Sequence, residues 1–195
     1  VGAETRLAPE ELEALLLIMN FYRDAELRGA RLLLNLHRHL RDPDSQAKLT
    51  RHLADETRHA WLWTQRICEL GGAPSDVVGG YQHRMGQKIG VPRDVVEILA
   101  LTIVAENRAL ERYNEHAMRT GVDKGTLEVL EAVTADEQWH LSWVGEKLSE
   151  LAPGRGGQDR VAQLLERYRA AEQEVYASFQ ADEAKLLDLI RRESQ

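Results

Sequence analysis

A single cysteine, Cys68, stands in a chain of 195 residues, which excludes an intrachain disulfide and any Cys-x-x-Cys electron-transfer module. On a helix, a lone cysteine is expected as a small buried apolar residue. Proline (5) and phenylalanine (2) are scarce, and the abundance of Leu, Ala, Glu and Arg favours helix. Excess positive charge is lacking too: the net charge of −7 argues against a general nucleic-acid-binding surface and makes a small or apolar substrate the expectation. There is no long hydrophobic run. Ala14 to Met19 is too short to span a bilayer, and Glu11 and Glu13 precede it where a secretory signal would be basic. A cytoplasmic location is expected, with that run as a candidate homodimer contact.

What the chain has is helical periodicity, and 43% hydrophobic residues is enough for one sizeable core. Pro9 suits a first turn, and apolar spacing carries a first helix over 9–41. Asp42-Pro43-Asp44-Ser45 stops it and starts a second, which ends at Gly71-Gly72. Residues 71–91 are glycine-rich and read as a loop with one short helix near Gln82 to Gln87, long enough for a crossover. A third helix from Pro92 to Thr120 and a fourth from Asp123 to Leu151 follow, ended by Pro153-Gly154. The segment from Asp159 to Arg192 carries a stripe of Val161, Leu164, Leu165, Tyr168, Val175, Phe179, Leu186 and Ile190. It reads as a fifth helix lying on the bundle or on a partner subunit.

Within this plan one motif occurs twice, as Ala54-Asp55-Glu56-x-x-His59 and Ala135-Asp136-Glu137-x-x-His140. Glu26 precedes Glu56 by 30 residues and Glu106 precedes Glu137 by 31. The chain therefore reads as two copies of one helical hairpin, each supplying a Glu from its first helix and a Glu-x-x-His from its second. Residues three apart share a helix face, so Glu56 and His59 can reach one metal ion, as can Glu137 and His140. Four carboxylates converging in an apolar bundle would repel each other, at several kcal/mol per uncompensated ion, unless two divalent cations balance them, some are protonated, or they face solvent. Hard oxygens with one nitrogen per metal suit iron or manganese, and zinc also accepts such ligands.

On these residues the chain resembles the ferritin-like di-iron carboxylate superfamily over residues 9–151. The resemblance implies an all-α four-helix bundle of two hairpins joined by a long crossover (1–155), plus a C-terminal fifth helix (156–195). It implies a catalytic metal site of Glu26, Glu56, His59, Glu106, Glu137 and His140, with terminal ligands at Glu26 and Glu106 and bridging carboxylates at Glu56 and Glu137. Two iron ions are the implied cofactor, manganese or a mixed manganese–iron pair being variants of it. Asp55 is expected to bond His140, and Asp136 to bond His59, across the two halves. Tyr113 lies two turns beyond Glu106, as a donor near the metals or as core with a satisfied hydroxyl. Trp63 and Trp143 are expected to wall the pocket. His37, His39, His52, His83 and His116 lack a repeated partner and read as surface or core histidines.

Function follows as expectation. The first reading is a non-haem di-iron oxidoreductase that activates dioxygen, draws electrons from an external donor and oxidises or hydroxylates an organic substrate. Glu106-x-Arg108-x-x-Glu111-Arg112-Tyr113 is similar to the hydroxylase of tRNA isopentenyl-adenosine, and Asp136-Glu137-x-x-His140-Leu141 with Gly145-Glu146 to aldehyde-deformylating oxygenases. A ferroxidase or rubrerythrin-like peroxide scavenger is the second reading. A non-enzymatic helical interaction module is the third.

Overall fold

The computed structural model describes residues 8–119, 121–153 and 157–193, with side chains through residue 181. Its elements are α1 (Pro9–Leu36), α2 (Pro43–Glu69), α3 (Tyr81–Ile89), α4 (Val95–Ala117), α5 (Lys124–Leu151) and α6 (Gly157–Glu193). All are helices, as the composition requires. Thr120, Gly154, Leu186 and Ile190 of the sequence reading lie outside the described residues or side chains.

Helix starts follow local chemistry. Asp42, Asp94 and Asp123 each turn a carboxylate onto backbone N–H groups of the first turn, at 2.8 Å from Ser45, 2.9 Å from Val96 and 2.9 Å from Thr126. Asp94 explains why α4 starts at Val95 and not at Pro92. The first helix ends at Leu36, short of the expected 41, because the chain turns to bury Leu40. Gln46 serves that turn, its amide donating to the carbonyls of His37 and Leu40. α2 stops where Gly71 adopts φ 81°, a left-handed conformation that favours glycine, and Gly72 N–H then returns to the Ile67 carbonyl at 2.9 Å.

α1 pairs with α2 and α4 with α5, while α2 faces α5 and α1 faces α4, closing a four-helix ring. The long connection contains α3, and α6 lies against α4 and α3 of its own chain. Two apolar clusters fill the ring, and a third, of Tyr81, Met85 and Val175, joins α3 to α6. Leu33 and Leu36, Leu49, Leu99 and Val104, and Trp143 and Val144 fill one end of the ring, joined by Tyr168 of α6. Met19 and Tyr22, Trp63 and Ile67, Tyr113, and Leu130 and Val133 fill the other. Between the clusters each helix of the ring carries buried polar residues: Glu26 on α1, His52, Glu56 and His59 on α2, Glu106 on α4, Glu137 and His140 on α5. Cys68 is exposed and not buried as expected, because its neighbour Ile67 takes the inward position. Among the described residues no helix is long and apolar enough to cross a membrane.

Candidate metal centre

All six residues predicted from the repeat meet at the midpoint of the ring, each at most 8% exposed. One ligand atom from each of Glu26, Glu56 and His59 lies within 4.8 Å of the others, and the same holds for His52, Glu56, Glu106 and His140. Glu56 belongs to both groups and so stands between two positions a cation can occupy. Glu137 lies across from it, with Oε2 3.5 Å from His140 Nδ1 and Oε1 3.9 Å from His59 Nδ1.

The outward nitrogens of the two repeat histidines are held by carboxylates of the opposite half. His59 Nε2 is 3.2 Å from Asp136 Oδ2, and His140 Nε2 is 3.4 Å from Asp55 Oδ2. A carboxylate only accepts, so each Nε2 carries the ring proton, Arg58 Nη2, 3.3 Å from His59 Nε2, being directed at Asp136 Oδ2, and each Nδ1 presents a lone pair to the centre. Those two Nδ1 atoms, with Glu137 Oε2, are buried and have no hydrogen-bond partner. A buried lone pair left unpaired costs about 1–3 kcal/mol, so these atoms fit cations bound at the centre, one beside each imidazole. The donor set fits a pair of divalent metals with oxygen-rich coordination.

Electrostatics point the same way. Burial raises the Glu56 carboxyl well above its ordinary value, and the charges of Glu106 and Glu26 raise it further. Glu137 is raised for the same reasons, by burial and then by Glu106 and Glu26. Burial would raise Glu106 as well, but the hydrogen bond from His52 and the imidazoles beside it bring it down to about 2. Metal-free, the site holds protons on some carboxyls. Two dications would displace them and neutralise the four carboxylates.

Supporting residues complete the shell. Tyr113 hydroxyl donates to Glu26 Oε1, so it is both core and a donor at the centre. Burial and the Glu26 carboxylate keep this phenol protonated, well above the usual tyrosine range. Trp63 stacks near Tyr22 and Tyr113, with centroids at 5.0 and 5.8 Å. Gly29, one turn after Glu26, leaves room for Glu56: a Cβ there would run into Glu56 Oε2. Gly29→Ala should therefore leave the metal-free melt unchanged or raise it, since Ala favours a helix by about 1 kcal/mol over Gly. Metal affinity should fall at least ~10-fold, as expected for a change that re-aims a ligand. A melt together with a metal titration checks both.

His52 is the site residue that the repeat could not reveal. It is fully buried, with Nε2 3.1 Å from both Glu56 Oε1 and Glu106 Oε1. Its spacing carries a signal, since positions 52, 56 and 59 share one helix face. The matching position before Glu137 is Val133, so a search for duplicated residues passes over it. His116 is instead core, its Nδ1 3.3 Å from the Tyr22 hydroxyl. The arginines two residues after Glu26 and Glu106 form salt bridges, Arg28 with Asp24 at 2.7 Å and Arg108 with Glu172 at 2.6 Å.

No model of a known protein family matches the chain, and no curated protein matches it in sequence. Among solved structures it is similar to the bacterioferritin of Desulfovibrio desulfuricans, whose diiron site was determined in different catalytic states. The two are 24% identical, with a TM-score of 0.60 over 82% of this chain and 91% of that one. The chain has the ferritin-like fold.

Proposed function

We infer that the chain is a di-iron oxidoreductase, its two metal positions formed by Glu26, Glu56, His59, Glu106, Glu137 and His140. The observation that carries this reading is the pair of unpartnered Nδ1 atoms aimed from opposite halves at four buried carboxylates. Iron held there would supply the electrons that reduce dioxygen or peroxide. The residues do the rest. Asp55 and Asp136 orient the two imidazoles, Tyr113 holds Glu26 in place and keeps a proton beside the centre, and the apolar clusters on either side exclude water.

Two forms of the reaction are supported by different observations. Oxidation of an organic substrate, with electrons from an external donor, would use the pocket next to Tyr113, lined by Phe21, Tyr81, Ala105 and Phe179 together with Gln82, Arg108 and Arg112; at about 30 Å³ it would have to widen to admit one. The crossover helix α3 and α6 both border it, through Tyr81, Gln82 and Phe179, and would shape access to the four-helix bundle. Ferroxidation is favoured by the likeness to a bacterioferritin.

One experiment separates them. Protein loaded anaerobically with Fe(II) should bind about two irons per chain, in line with two-metal carboxylate bundles. It is then given air and excess Fe(II). Continued oxidation with mineral accumulating supports the ferroxidase form, whereas a stall after the first oxidation that only reductant and substrate relieve supports the oxygenase. Failure to bind iron would overturn both.

A further inference from the structure

We propose that His52 is a positioning donor that ties Glu56 to Glu106 at one of the two metal positions, and is not itself a metal ligand. This rests on the di-metal reading of the centre and assigns a residue that reading leaves without a role. By position alone, His52 would be taken as a third histidine ligand, since its Nε2 sits among Glu56, Glu106 and His140 as a ligand atom would. The ring's other nitrogen decides otherwise.

Trp143 Nε1 lies 3.1 Å from His52 Nδ1, with both residues buried. An indole N–H can only donate. His52 Nδ1 must then be the accepting nitrogen, and the single proton of the neutral ring lies on Nε2. That proton points between Glu56 Oε1 and Glu106 Oε1, each 3.1 Å away, and the Glu106 carboxylate accepts it. Every polar atom of the His52 ring is satisfied, and in this tautomer Nε2 has no lone pair for a metal. His59 and His140 show the opposite pattern, with the proton on the outward Nε2 and the free lone pair on the inward Nδ1. Of the three histidines at the centre, two are therefore set to bind a cation and the third to donate.

The arrangement also holds its neighbours. The His52 ring stacks on His140, with centroids 3.6 Å apart and planes 20° from parallel, and stands edge-on to Trp143 at 5.7 Å. Each carboxylate oxygen that accepts from His52 keeps a second lone pair for a metal. His52 thus fixes the angle at which Glu56 and Glu106 approach one metal position. At the other position Tyr113 does the same for Glu26 alone. Val133 occupies the place equivalent to His52 in the second half, so the two positions differ in their supporting shell although their repeat ligands match.

The test has two arms on the full chain. In metal-free protein labelled with 15N-histidine, ring-nitrogen NMR should show His52 with a protonated Nε2 and an unprotonated Nδ1, and Trp143→Phe should abolish that preference. The reverse tautomer in the wild type would overturn the proposal. This arm decides it even if the wild type takes up no metal, which would overturn the di-metal reading instead. In the second arm, anaerobic Co(II) titration of His52→Gln should still reach the wild-type stoichiometry with affinity within a few fold, because the glutamine amide can donate from nearly the same place. His52→Ala should keep the stoichiometry but bind ~10–100-fold more weakly, as typical for loss of an outer-shell partner. Loss of one metal in both variants would make His52 a ligand and overturn the proposal.

Discussion

Glu137→Gln and Glu56→Gln should each make the metal-free protein more stable while abolishing its capacity for two metals. Both carboxyls are buried, at 1% and 2% exposure, and both are raised by burial and by neighbouring carboxylates. An amide keeps the shape and removes the charge, so each change should add about 1–3 kcal/mol near neutral pH. The pH dependence has a definite sign. A carboxyl raised in the folded state binds a proton there that the unfolded chain has released. Its stability contribution is fully present below the ordinary glutamate value of 4.5 and is lost as pH rises through the raised value. Glu56 and Glu137 should thus favour the metal-free wild type near about pH 5 over about pH 8, and each glutamine variant should remove its share of that slope; His116 and His140, lowered to about 4, act in the opposite direction as pH falls through 6.5, so the difference between wild type and variant is what reads the carboxyls. Glu106, held at about 2, acts in the opposite direction but only below 4.5, outside this window. Metal should reverse the ranking, since a cation at a thousand times its Kd adds about 4 kcal/mol to the wild type and much less to a variant lacking a ligand. Thermal melts at two pH values, with and without metal, check every part. Destabilised metal-free variants would mean the carboxylates are paired in some other way.

Glu172→Ala should cost roughly 3 kcal/mol, the largest loss expected from a residue remote from the metal centre. Glu172 is 4% exposed and accepts from Arg108 Nε and Nη2 at 2.6 and 2.8 Å, a two-point bond between α6 and α4. Arg108 also lies over the Tyr176 ring at 4.0 Å. Without its carboxylate the largely buried guanidinium keeps Glu111, 2.7 Å from Nη1, but loses the partner of its Nε and Nη2, which explains a cost beyond that of a surface pair. The fifth helix of the sequence reading, α6, should loosen first around Glu172, while Arg160 still holds Asp94 at 2.6 Å near the start of both helices. Hydrogen exchange should show α6 and α3 opening while α1, α2, α4 and α5 stay protected. Uniform loss of protection would mean that α6 is part of one cooperative unit with the bundle.

Much of this centre was legible in one dimension because its chemistry is repeated at helical spacing. Glu56 and His59, like Glu137 and His140, are three residues apart, and a helix places such residues on one face whatever it packs against. The matched offsets of Glu26 and Glu106 extended that pattern from helices to hairpins. The crossed pairs of Asp55 with His140 and Asp136 with His59 came from likeness to a family, and the structure brings both pairs within 3.4 Å. Helix starts were readable from Asp42 and Asp123, whose carboxylates act within their own first turn.

His52, Cys68 and α6 mark where that reading stops. A histidine four residues before Glu56 is equally compatible with a solvated face or a buried site, and its tautomer depends on Trp143, 91 residues away on another helix. Cys68 looked buried by residue type, but which of two adjacent residues turns inward is set by the neighbouring helices, and Ile67 took that place. The stripe on α6 specified an apolar face without saying what it meets; the Arg108 to Glu172 bond, made between residues 64 apart, is what sets it on α4. Local periodicity and capping thus determined the helices and which residues share a face, because both depend on neighbours within a turn or two. Tertiary structure alone decided burial, the direction of each ring proton and the seat of α6, because those depend on atoms that the chain brings together only when it folds.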